Sequence, residues 1–265
     1  MGRQRKLLSV VPLLFALVAF EAGAEAITAA QYSAPVDRYG HFALGRPHEY
    51  ARLTATTDHG RSLALELPGN EVFEDLTPRL VRLAPNEPEE ILAIVSRRDS
   101  GARLVLIRLR AGHLEIDAQS PAIGMPMRWL NPVGVADLDG DGQAELAVVS
   151  TPHISGTLKI YRRSGKQLVE GAALPGFSNH VFGSTELGLS TALSIAGRMQ
   201  LLVPDTTRRR LRIIALQGDR LVETAQCALT EPLTTAITLT SASAISVGSP
   251  SARQLIVPND CPGSP

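Results

Sequence analysis

Apolar and polar residues alternate in short runs along most of this chain, and long stretches of helical period are hard to find after residue 26. A period of two places successive side chains on opposite faces, as in a half-buried β-strand. RLVLIRLRAGHLEI (103–116), TLKIYRRSGKQLVE (157–170) and RLRIIALQGDRLVE (210–223) each alternate, turn at a glycine and alternate again. Glycine supplies the positive φ of a tight hairpin turn, so each segment is expected to be a β-hairpin. Those glycines, Gly112, Gly165 and Gly218, recur every 53 residues. A second series, EEILAIVS (89–96), QAELAVVS (143–150), MQLLVPD (199–205) and RQLIVPND (253–260), is short and rich in Leu, Val and Ile. That composition predicts more deeply buried strands. The aligned leucines, Leu92, Leu146, Leu201 and Leu255, lie 54, 55 and 54 residues apart.

A period near 50 residues marks a repeat architecture. Each unit reads as an inner strand pair followed by an outer hairpin, so the fold class is expected to be all-β. One hairpin-like segment, RLTATTDHGRSLALEL (52–67), precedes the first inner pair, and the last inner strand, QLIVP (254–258), has no hairpin after it. In a closed ring the first hairpin would complete the last unit and remove the unpaired edges that invite aggregation. The expectation is therefore a single β-propeller domain over residues 27–265, with about four four-stranded blades. It would be closed by pairing the N-terminal and C-terminal strands. GHFALG (40–45) and TTAITL (234–239) leave a fifth blade open, and an open β-solenoid or a sandwich is the competing architecture.

Between two inner strands lies DLDGDGQAE (137–145), with aspartates at every second position. If the glycines let the backbone curl, Asp137, Asp139 and Asp141 project carboxylates to one centre. Gln143 offers its backbone carbonyl and Glu145 a further carboxylate. Hard oxygen donors of this kind suit one structural Ca²⁺, which takes about six to eight oxygens in flexible geometry. A solvated acidic turn without an ion is the plain alternative. An EF-hand is excluded, because the position that would carry its bidentate Glu is Val148 and the flanks read as strands.

VADLDGDGQAELAVV resembles the calcium-loop core of FG-GAP repeats, also called VCBS repeats, found in the N-terminal propeller of integrin α subunits. The resemblance implies that Asp137, Asp139, Asp141, Gln143 and Glu145 hold Ca²⁺ in a hairpin turn of one blade. Over the whole chain the similarity is to secreted bacterial proteins with such repeats. The equivalent turns APNEPEE (84–90), SIAGRM (194–199) and SVGSPSA (246–252) lack the alternating aspartates. The remaining blades are therefore expected to hold by packing alone.

Residues 1–26 carry a basic start, an apolar run from Leu7 to Phe20 and small residues in EAGAEA. This describes a secretory signal peptide, and the run is shorter than the about 20 residues a membrane-spanning helix needs. The mature chain is expected to be secreted or periplasmic, with no transmembrane segment after cleavage. Charge is balanced, at 26 basic and 26 acidic residues, which gives no basis for nucleic-acid binding. Cys227 and Cys261 either pair in that oxidising compartment or remain separate thiols.

No G-x-S-x-G elbow or H-E-x-x-H motif occurs, and SGTLKIYRRSGKQ lacks the spacing of a phosphate loop. The histidines at 41, 48, 59, 113, 153 and 180 show no ligand-like spacing and read as turn or surface residues. RRRLR (208–212) reads as a solvated strand edge. Trp129 is expected to pack between blades, and Ser178, Asn179 and His180 form a rim that is a minor binding candidate. The functional expectation is a non-enzymatic propeller that binds a protein or glycan partner. The alternative is an extracellular carbohydrate-active enzyme, a hydrolase or lyase with its site in the propeller channel.

Overall fold

The computed structural model of the protein describes residues 25–263, so residues 1–24 of the expected leader lie outside the described residues. The described chain is all-β, with one 3₁₀ turn at Pro258–Asp260 and no α-helix. No helix among the described residues is long and apolar enough to cross a membrane.

The strands fall into five successive groups. β1 (Ile27–Pro35), β2 (Tyr50–Thr57) and β3 (Ser62–Glu66) form the first. β4 (Glu71–Phe73) then leads into β5 (Arg79–Val81), β6 (Glu90–Arg97), β7 (Gly101–Arg110) and β8 (His113–Gln119). The third group is β9 (Leu130–Ala136), β10 (Glu145–Ser150), β11 (Gly156–Ser164) and β12 (Gln167–Phe177). The fourth is β13 (Thr191–Ile195), β14 (Arg198–Pro204), β15 (Arg210–Gln217) and β16 (Arg220–Ala228). β17 (Thr238–Leu239), β18 (Ile245–Gly248) and β19 (Arg253–Ile256) make the last. Within groups the pairing is antiparallel, and the second and third groups touch edgewise through one parallel bridge, Gln167 to Gln119.

Four apolar clusters fill the spaces between neighbouring groups, and the strand period of two assigns each residue to its cluster. On β6, Ile91, Ala93 and Val95 face the first group, while Leu92 and Ile94 face the third. On β10, Leu146 and Val148 point back toward β6, and Ala147 and Val149 point forward to β14. Trp129 is 1% exposed and packs in the cluster between the second and third groups.

The three outer hairpins share a defect. The register slips between Leu106 and Ile107, between Ile160 and Tyr161, and between Ile213 and Ile214. On the inner strands, Leu92, Ala147 and Leu202 stand opposite Leu106, Ile160 and Ile213. The matching positions are thus Leu92, Ala147 and Leu202, and the leucine alignment read from sequence is one residue out of step. A one-residue offset turns a side chain to the other face of its sheet, which is why Leu92 and Leu146 point opposite ways. Leu255, the fourth leucine of that series, is 65% exposed.

The expected closure by terminal strands is not formed. β1 pairs with β2, and β2 joins the second group through Tyr50 and Phe73 of β4. Among the described residues β19 pairs only with β18. Burial explains the choice. Ile27, Leu53 and Ala55 cover Ile91, Ala93 and Ile107, so the N-terminal hairpin satisfies its apolar face on the neighbouring group. The C-terminal tail instead returns to β16, where Cys227 and Cys261 form a disulfide with Cα atoms 5.1 Å apart and Gly263 bridges Ala225.

Candidate functional site

The acidic turn connects β9 to β10. Gly140 and Gly142 take φ of 84° and 86°, a left-handed conformation that costs glycine nothing and lets the loop fold over its own carboxylates. Asp137 accepts the amides of Gly140, Asp141 and Gly142 at 2.7, 3.1 and 3.0 Å. Carboxylate oxygens of Asp137, Asp139 and Glu145 lie within 4.8 Å of one another. Asp141 is turned aside, its Oδ1 accepting the Gln143 amide at 2.7 Å, and Gln143 is exposed.

A cation already sits against this group. Arg162 on β11 donates from Nη2 to Asp139 at 2.7 Å and from Nε to Glu145 at 3.0 Å. The other oxygen of Glu145 accepts the Leu138 amide at 2.8 Å. Burial raises the Glu145 pKa, and the nearby Asp139 charge adds to the rise, against the Leu138 amide and Arg162. The second group repeats the Glu–Arg pair without aspartates in its turn, and Asp117 of β8 joins it from the outer hairpin. Glu90, at the start of β6, pairs with Nε of Arg108 on β7 at 2.8 Å. The Glu–Arg pair is therefore a device of the scaffold, and the aspartates are an addition to it at one turn. The donor set is wholly oxygen, which fits a hard divalent cation, with Arg162 as its competitor for Asp139 and Glu145.

A second constellation gathers where three connections meet. His41 comes from the β1–β2 loop, His153 from the β10–β11 turn and His180 from the segment after β12. The Trp129 ring stacks on His153 with centroids 6.0 Å apart, and His180 meets its edge at 4.9 Å. Trp129 Nε1 donates to the Glu74 carbonyl at 2.8 Å. The buried Glu74 carboxylate takes Nδ1 of His41 at 2.7 Å and the Ser96 hydroxyl at 2.6 Å. Desolvation raises the Glu74 pKa, opposed by these two partners.

His153 Nε2 lies 2.7 Å from His180 Nδ1, and His180 Nε2 lies 2.9 Å from the Ser184 carbonyl. Burial lowers the pKa of His153 to about 3 and of His180 to about 4, and the Arg208 charge pushes both the same way. Both rings are neutral at ordinary pH. A cleft of about 230 Å³ opens beside His41, Trp129 and His153, rimmed by Phe182 and Ile154, which are 56% and 57% exposed.

The sequence reading of the histidines as surface or turn residues holds for His59 and His113 but not for His180, which is fully buried. Of the rim candidates, Ser178 and His180 line this region, while Asn179 turns inward to the Asn131 carbonyl and Ser190. RRRLR is not an edge, because β15 is paired on both sides. The missed signal was the placement of His153 and His180 in loops at the same end of adjacent groups, which linear spacing conceals. Neither a family model nor a curated protein matches the chain.

Proposed function

We propose that this chain is a non-enzymatic repeat protein of the secreted or periplasmic space that binds a protein or glycan partner. The observation that carries the reading is the cleft beside Trp129, where exposed Phe182 and Ile154 rim a floor that includes the His41 and His153 imidazoles. An apolar rim around a few convergent polar groups is the usual form of a recognition site. The imidazoles hydrogen-bond to one another, to Glu74 and to a carbonyl, and none is bonded to a hydroxyl or thiol nucleophile. The disulfide between Cys227 and Cys261 supports an oxidising compartment.

The five groups are read as blades of a propeller-type array of FG-GAP/VCBS repeats. The matching register slips and the alternating inter-sheet clusters support that reading. Asp137, Asp139 and Glu145 would hold one structural Ca²⁺, with Asp141 and the Gln143 carbonyl as further expected donors. Bound there, the ion would supply positive charge that cross-links the turn. Chelator is expected to lower the melting temperature of the purified protein, and Asp139→Ala to remove that sensitivity. Melting curves that ignore both would overturn the metal assignment.

The second reading, a carbohydrate-active hydrolase or lyase, draws on His41, which lines the same cleft and is hydrogen-bonded to the buried Glu74 behind it. A reducing-end assay over a polysaccharide panel separates the two. Turnover that Glu74→Gln abolishes would replace the binding reading.

A further inference from the structure

His153 and Phe182 also line a second cleft, of about 210 Å³, together with Ser178, His180 and Arg208. Arg208 stands in the turn between β14 and β15. Its Nη1 donates to Ser178 Oγ at 3.0 Å, and its Nε is buried without a hydrogen-bond partner. Its neighbours Arg210 and Arg212 pair with Asp205 and Glu223, whereas Arg208 forms no ion pair among the described residues. Asp205, the acid of the same turn, accepts instead from Thr207, Arg209 and Arg210. A guanidinium half-sealed from water and lacking a counter-ion leaves unmet hydrogen-bonding capacity that an anion would satisfy.

The neighbouring groups narrow the class of anion. The Ser184 carbonyl can only accept, so Nε2 of a neutral His180 carries the proton and its Nδ1 accepts from His153. Nδ1 of His153 is then bare, an acceptor that asks for a hydroxyl donor. Of the side chains lining this space, Arg208 alone carries full positive charge, which matches a single negative charge better than a phosphate dianion. Exposed Phe182 offers an apolar face to a ring.

We infer that this cleft binds an acidic sugar, with its carboxylate on Arg208, a ring hydroxyl on Nδ1 of His153 and its C–H face against Phe182. The inference rests on the glycan branch of the function proposed above and names the class of glycan.

Sodium glucuronate, glucose and inorganic phosphate, each titrated into the full chain by calorimetry, test it. Glucuronate is expected to bind and glucose not. Arg208→Gln is expected to weaken glucuronate by about tenfold to a hundredfold, the worth of a charge-assisted pair. Phe182→Ala should also weaken glucuronate. Melting curves of both variants at the wild-type temperature establish that they are folded, and Arg208→Lys serves as a milder variant if Arg208→Gln is not. Phosphate binding as tightly as glucuronate would overturn the sugar assignment, and glucuronate affinity untouched in a folded Arg208 variant would overturn the contact. No heat with glucuronate at millimolar concentration overturns the inference. Retention on an immobilised neutral glycan would then show that the broader binding reading stands without it.

Discussion

His153 and His180 share one proton-bearing hydrogen bond of 2.7 Å, although 27 residues separate them and they belong to different connections. His180 is wholly buried, and Trp129 packs against both rings. A charge on either imidazole would sit in apolar surroundings, next to Arg208 and with His41 nearby. Of the charged groups acting on the pair, only Glu186 works the other way, on His180.

The folded pKa values, about 3 and about 4, lie below the about 6.5 of an unfolded histidine. The unfolded chain therefore binds more protons across this window, and stability falls as pH drops from about 6.5 toward 4. Glu74, raised by burial, works in the opposite sense, and its contribution is lost as pH rises through its folded pKa. The melting temperature is expected to decline between pH 7 and pH 5, and to decline less in a His153→Gln/His180→Gln double variant. Parallel slopes for the two proteins would count against the neutral pair.

Arg162 is expected to act as a tethered counter-ion. Arg162→Met leaves Glu145, 1% exposed, with the Leu138 amide as its remaining partner, at a cost of about 1–3 kcal/mol. Added Ca²⁺ should recover more stability in this variant than in the wild type, because the ion no longer competes with the guanidinium. Equal calcium shifts in both proteins would show that Arg162 and the ion do not share ligands.

The N-terminal hairpin is predicted to stabilise the second group and not the last one. Leu53→Ala empties a fully buried site against Ile91 and Ile107 and should cost about 2–5 kcal/mol. Hydrogen exchange should quicken in β6 and β7 on deletion of residues 27–67, while β18 and β19 keep their protection. Protection lost first at β18 and β19 would restore the closed ring.

Reduction tests the C-terminal tether. The Cys227–Cys261 link spans 34 residues, and its loss in a Cys227→Ser/Cys261→Ser variant should lower stability by about 2–4 kcal/mol. Urea melts of the two proteins provide the measurement, and coincident curves would show that the tail adds nothing.

The sequence by itself determined the strands and their turns. A period of two put Leu104 and Leu106 on one face and Val105 and Ile107 on the other, and Gly165 and Gly218 had to take the positive φ at their turns. It also placed the three aspartates and Glu145 close together in the chain, and local backbone geometry brought the carboxylates of Asp137, Asp139 and Glu145 within reach of one another. Only the tertiary structure decided where each sheet buried its second face. The first hairpin fits equally well beside either end of the array by pattern, and the contact of Leu53 and Ala55 with Ile91 and Ala93 made the choice. It also decided that Arg162 would pair with Glu145 and that His153 and His180, from different connections, would pack on Trp129. Alternation says which face of a strand is apolar. Which other face covers it depends on contacts between residues far apart in the chain, and no local pattern records them.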